Sequence, residues 1–138
     1  MTQHLILLGA GFSRNFGGWL ASEVFEYLLG SRSLRADPAL VSLLWRHKAN
    51  GFEGALSELQ NEHSRSVSKE SAARLDAFQN AVRDMFEDMN RAFLFPKFMI
   101  SSDVRDFLAR FDAVFSLNQD LLLEKHYINR SHGCPDFN

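Results

Sequence analysis

The sequence predicts an α/β fold, a parallel sheet whose crossover carries a helical insert, and three observations lead there. The apolar run Leu5-Ile6-Leu7-Leu8 passes into the glycine turn Gly9-Ala10-Gly11 and then into an amphipathic helical pattern. A second apolar run, Ala113 to Leu117, ends in the polar tip Asn118-Gln119-Asp120 and again gives way to a helical pattern. Nearly everything between them has helical spacing or reads as connector, the alternation expected of a parallel sheet with long crossovers.

The elements follow in order. Residues 3 to 9 form a continuous apolar run bounded by glycine, the signature of a strand buried on both faces. From Gly18 to Leu29, Trp19, Leu20, Val24, Phe25, Tyr27, Leu28 and Leu29 mark a helix closed by Gly30. Residues 31 to 37 connect it to a short helix opened by Pro38 and carrying Leu40, Val41, Leu43, Leu44 and Trp45. Phe52, Ala55, Leu56 and Leu59 fall at helical spacing, and a Ser-rich connector covers 64 to 68. The longest helix then runs to about Phe93, with Ala72, Leu75, Phe78, Val82, Met85, Phe86 and Met89 on its apolar face. Pro96 breaks that pattern, and a candidate short strand lies around Lys97 to Ile100. Ser101-Ser102-Asp103 supplies capping chemistry for a helix with Val104, Phe107 and Leu108, and Leu121 to Tyr127 is helical again. The reading is one domain over 1–138 with a helical insert over 31–95.

Two clear strands are too few for a doubly wound sheet. The sheet is therefore expected to be incomplete at the C-terminal side, and to be finished by further chain, a second copy or a partner chain.

Composition narrows the function classes. Of the 138 residues, 46% are hydrophobic and 13 are Phe, which argues for a packed aromatic core and against disorder. Trp19, Trp45 and most Phe positions are assigned to that core. A net charge of -2 provides no basic field for a nucleic-acid backbone. Cys134 is the single cysteine, so no disulfide framework and no zinc-type Cys/His spacing exists. No run reaches the roughly 18 apolar residues of a membrane span, and no basic leader precedes the first strand. A soluble cytoplasmic protein without a metal is expected.

A glycine turn after a first strand lets the backbone approach a pyrophosphate, which makes Gly9, Ala10, Gly11, Phe12, Ser13 and Arg14 candidate nucleotide-binding residues. Phe12 and Phe16 could wall such a pocket. Arg14 occupies the place of the third glycine in the Rossmann dinucleotide fingerprint, so the loop is Rossmann-like without matching it. Ligands of parallel sheets bind at the carboxyl ends of strands, which aims Asn118 and Asp120 at the same crevice. The other reading of these two side chains is capping of the helix that follows.

Gly9-Ala10-Gly11-Phe12-Ser13 and Ser116-Leu117-Asn118-Gln119-Asp120, in this order, resemble the two signature motifs of the SIR2 (sirtuin) superfamily. Leu121-Leu122-Leu123-Glu124 and Phe52-Glu53-Gly54-Ala55-Leu56-Ser57 look like the looser version in bacterial SIR2-like NAD-hydrolysing proteins of antiphage defence. The deacylase run Ile-Pro-Asp-Phe-Arg has no counterpart, since Gly17-Gly18-Trp19-Leu20-Ala21 stands there, and the zinc-module cysteine pairs are missing. The resemblance therefore implies cleavage of NAD to ADP-ribose and nicotinamide without an acyl-lysine substrate. It implies that Asn118 orients the ribose and a water, and that Asp120 contacts the carboxamide or stabilises the site. His132, in a His-Gly step with Gly133, would be the general base. The competing expectation is a module that binds NAD or ADP-ribose without turnover. His126 is read as a partner of Glu124 or a surface residue, and His4, His47 and His63 receive no role.

Overall fold

The computed structural model describes residues 3–93 and 100–123. Among these residues the fold is mixed α/β and mostly helical, with one two-stranded parallel sheet. The chain divides into two compact units, one made of Met1–Leu20 with Asp88–Asn138 and the other of Ala21–Glu87.

The first unit holds the sheet. Strand β1 (Leu5–Leu8) pairs in parallel with β2 (Ala113–Ser116), Leu5 opposite Ala113 and Leu8 opposite Ser116. Both ends of this register are fixed. The Asp112 N–H donates to the His4 carbonyl at 2.7 Å and the His4 N–H returns a bond to Asp112 Oδ2 at 2.7 Å. At the other end the Leu117 N–H donates to the Leu8 carbonyl at 3.0 Å. Among the described residues this unit also holds α1 (Ala10–Arg14), residues 88–92 at the end of the long helix α6 (Lys69–Ala92) and, in the chain order used below, α7 (Ile100–Leu108).

Side chains alternate along a strand, so Ile6 and Leu8 share one face and Leu5 and Leu7 the other. The first face is the core: Leu8, Val104 and Leu108 are buried together, and Ile6, Phe12, Phe16, Val114 and Leu123 pack against them. Val104 and Leu108 stand four residues apart, one stripe of α7. The second face is open. Leu5 and Leu7 are 60% and 61% exposed, and Phe115 and Leu117 are exposed beside them. This corrects the expectation of a strand buried on both sides. A continuous apolar run is compatible with two covered faces, but every element packed on the sheet among the described residues lies on the Ile6/Leu8 side.

The second unit is helical: α2 (Ala21–Gly30), α3 (Arg32–Arg35), α4 (Pro38–Arg46), α5 (Gly51–Arg65) and residues 69–87 of α6 (Lys69–Ala92). Asp37 caps α4 by accepting the Ala39 N–H at 2.8 Å, with Pro38 in the first turn. Arg74 on α6 donates to the other Asp37 oxygen at 2.8 Å. Leu28, Leu40, Leu43, Leu44, Leu59, Phe78 and Met85 make the buried interior. Trp45 is corrected from core to surface at 52% exposed. Leu40, Leu43 and Leu44 occupy the inward stripe of α4, so Trp45 falls on its flank, edge-on to Phe25 at 5.0 Å and under the Lys48 ammonium at 5.2 Å. Phe107 and Phe115 are likewise partly exposed.

Ile100 opens α7, so Ser101, Ser102 and Asp103 are helical residues instead of preceding caps. Lys97 to Met99, the rest of the candidate third strand, lie outside the described residues. Among the described residues no helix is long and apolar enough to cross a membrane.

Candidate functional site

The turn after β1 is tighter than the sequence suggested. Gly9, extended at φ −122° and ψ −178°, directly precedes α1, and the Phe12 N–H closes the first turn on the Gly9 carbonyl at 2.9 Å. Gly11, Phe12, Ser13 and Arg14 are thus helical, and the longer helix opens at Ala21 instead of Gly18. A Cβ built on Gly9 or on Gly11 meets nothing within 4 Å among the described residues, so both present bare backbone to open space there. No side chain among the described residues caps α1.

Ser13 is the pivot of this segment. It is buried, and its carbonyl accepts from the Phe16 N–H at 2.9 Å and the Gly18 N–H at 2.8 Å, folding the chain back after α1. Gly17 carries the reversal at φ +97°, a conformation that suits glycine. Gly18 allows the close approach: a Cβ there would lie 2.7 Å from Ser13 Cβ and 2.8 Å from its carbonyl.

Across the sheet, the loop after β2 delivers Asn118 to this pivot. Its Nδ2 donates to Ser13 Oγ at 2.7 Å, joining residues 105 positions apart. The Asn118 backbone N–H donates to Ser116 Oγ at 3.1 Å, a local turn that orients the side chain. The two motifs therefore meet at the carboxyl ends of adjacent parallel strands. Asp120 behaves as a cap, its Oδ1 accepting the Leu122 N–H at 3.1 Å. Asn118 does not, because its side chain is turned to Ser13.

Other candidates divide clearly. The Phe12 ring packs against Phe16 at 5.2 Å and stacks on Phe107 at 5.9 Å, so it belongs to the core as much as to any pocket wall. Arg14 is exposed on the last turn of α1. Asn15, next to it, donates from its side chain to the Gly11 carbonyl at 3.2 Å. His132, the residue assigned as general base, lies outside the described residues, as do His126 and Cys134. Among the described residues no group of three or more His, Cys, Asp or Glu could hold a metal.

The helical unit holds a second polar cluster, which the sequence did not reveal. His47 Nε2 and Glu58 Oε2 are 2.6 Å apart, and Arg46 donates to Glu58 Oε1 at 2.8 Å. The bond from His47, helped by Arg46, holds the Glu58 carboxyl below its ordinary pKa. A cavity of about 550 Å³ beside it is lined by His47, Gly54, Ser57, Glu58, Glu62 and Arg65 among others. His47 Nδ1 is buried without a hydrogen-bond partner among the described residues, sealed against Gly54, where a Cβ would stand 2.6 Å away. The His47–Glu58 bond joins the end of α4 to α5. His63 is similarly structural, 2.9 Å from Ser71 Oγ.

Comparison with protein-family models, curated proteins and solved structures finds no match to this chain.

Proposed function

We propose that this chain binds the ADP-ribose portion of NAD where the turn after β1 meets the loop after β2, and cleaves the nicotinamide–ribose bond. The observation that carries the reading is the Asn118–Ser13 bond, which unites two distant motifs at the carboxyl ends of neighbouring parallel strands. The motif resemblance to SIR2-like NAD hydrolases and a Rossmann-like completion of the sheet belong to the same proposal.

The residues present fit such a ligand. Gly9 and Gly11 leave the backbone open for close approach of a pyrophosphate, beside the uncapped first turn of α1. With Nδ2 donated to Ser13, Asn118 keeps its Oδ1 as an acceptor for a ribose hydroxyl or a water. Breaking the glycosidic bond develops positive charge on the ribose, so acceptor oxygens held rigidly at that place stabilise the transition state more than the ground state. Ser13 acts in this scheme by fixing Asn118 instead of gripping phosphate itself. Asp120 spends Oδ1 on the Leu122 N–H and contributes mainly by holding the loop. His132 is the proposed base that activates a ribose hydroxyl or the attacking water.

The test is incubation with NAD and chromatographic detection of nicotinamide. Wild-type protein releases nicotinamide and Asn118→Ala does not. Binding of ADP-ribose with no release by wild type would instead establish the second reading, a nucleotide-binding regulatory module.

A further inference from the structure

We propose that Asn90, on the last turns of α6, is a positioning residue for the candidate site: its side-chain oxygen holds the Leu121 amide and thereby sets the Asn118–Asp120 loop. The inference rests on the nucleotide reading for its functional consequence, and on geometry for the rest.

Asn90 Oδ1 accepts the Leu121 N–H at 3.0 Å, from a residue 31 positions away. Among the described residues, the loop's backbone is held at four places. Leu117 is tied to the Leu8 carbonyl, Asn118 to Ser116 Oγ, Leu121 to Asn90 and Leu122 to Asp120 Oδ1. Two of these ties are local to the loop and one belongs to the strand ladder. Asn90 alone among them brings in a side chain from a different element, and it does so one residue beyond Asp120.

The same end of α6 lies beside the other half of the site. Ala92 Cβ lies 3.4 Å from where a Cβ on Gly17 would stand, next to the reversal that brings Gly18 onto Ser13. One helix end thus bonds one of the chain segments that the Ser13–Asn118 bond unites and lies beside the other. An oxygen on the Leu121 N–H fixes where the chain leaves the loop. A shift of that exit moves Asn118 off Ser13.

What the role requires is an oxygen acceptor of Asn size. Asn90→Asp keeps it, and Asn90→Leu keeps the bulk without it. Hydrogen–deuterium exchange of a peptide covering 117–123 reads loop position directly, and calorimetry with ADP-ribose reads its consequence. Asn90→Leu is expected to speed loop exchange and weaken ADP-ribose binding about tenfold, the loss of roughly one hydrogen bond, while Asn90→Asp restores both. Should Asn90→Leu fail to fold, Asn90→Ala replaces it. A purely structural Asn90 lowers the melting temperature but leaves loop exchange and affinity unchanged, and that result overturns the inference. If wild type binds no ADP-ribose, the nucleotide reading falls and loop exchange alone decides the role of Asn90.

Discussion

The side chain of Asn118 reaches from the end of β2 to the buried hydroxyl of Ser13, 2.7 Å away on α1. That bond couples the position of a candidate ribose acceptor to the fold of the turn after β1. Whatever disturbs Ser13 should therefore disturb Asn118.

Gly18 offers the sharpest way to disturb it. A methyl at this position collides with the backbone carbonyl of Ser13, which cannot swing aside as a side-chain tip can. Gly18→Ala should cost about 1–3 kcal/mol, the range for overpacking, and weaken ADP-ribose binding with it. Urea unfolding gives the first number and calorimetry the second.

Gly11 separates binding from stability. Its Cβ position is open, and alanine suits a helix better than glycine, so Gly11→Ala should leave stability within about 1 kcal/mol of wild type or raise it. The same methyl occupies the open surface assigned to the pyrophosphate. ADP-ribose affinity should fall while the urea midpoint holds, and unchanged affinity would count against a ligand at this face.

The sheet predicts an asymmetry between neighbours. Leu8→Ala removes a buried side chain from the cluster with Val104 and Leu108 and should cost about 2–5 kcal/mol. Leu7→Ala, on the open face, should change stability by no more than about 0.5 kcal/mol. Comparable losses at both positions would mean that the Leu5/Leu7 face is covered in solution.

Acid should weaken the helical unit through Asp37. The Arg74 guanidinium, together with the Ala39 amide, holds this carboxyl below its ordinary pKa. A group depressed on folding stabilises above the unfolded value, near 4, and the contribution disappears as pH falls through the lower folded value. Glu58, depressed chiefly by its bond with His47, adds in the same direction. Both carboxyls are partly exposed, so the effect is modest and screened by salt. Asp37→Ala also removes a helix cap, about 1 kcal/mol at neutral pH, and should flatten the urea midpoint between pH 5 and pH 3, where wild type declines.

Much of this arrangement was legible from residues alone. The runs at Leu5–Leu8 and Ala113–Ser116 announced strands, and their order with helices between announced parallel pairing, which is what brings Asn118 to the end of β1. Local signals also sufficed for Asp37 and Pro38 at α4. The unread features share a cause, in that each depends on which surfaces meet after folding. Nothing around Leu5 and Leu7 shows that, among the described residues, helices pack only on the opposite face. Nothing near Asn90 announces Leu121, nor does His47 announce Glu58. The motif position of Ser13 points to a phosphate, and nothing near it in sequence announces its bond to Asn118 or its burial against Gly18.

The measurement closest to the central claim is a melting scan of wild type and Asn118→Ala with ADP-ribose and with NAD. Ligand at about 100 times its dissociation constant should stabilise wild type by roughly 2.7 kcal/mol, visible as a raised melting temperature, and the shift should shrink in Asn118→Ala. Neither ligand moving the wild-type transition, up to millimolar concentration, would contradict a nucleotide site at the Ser13–Asn118 junction.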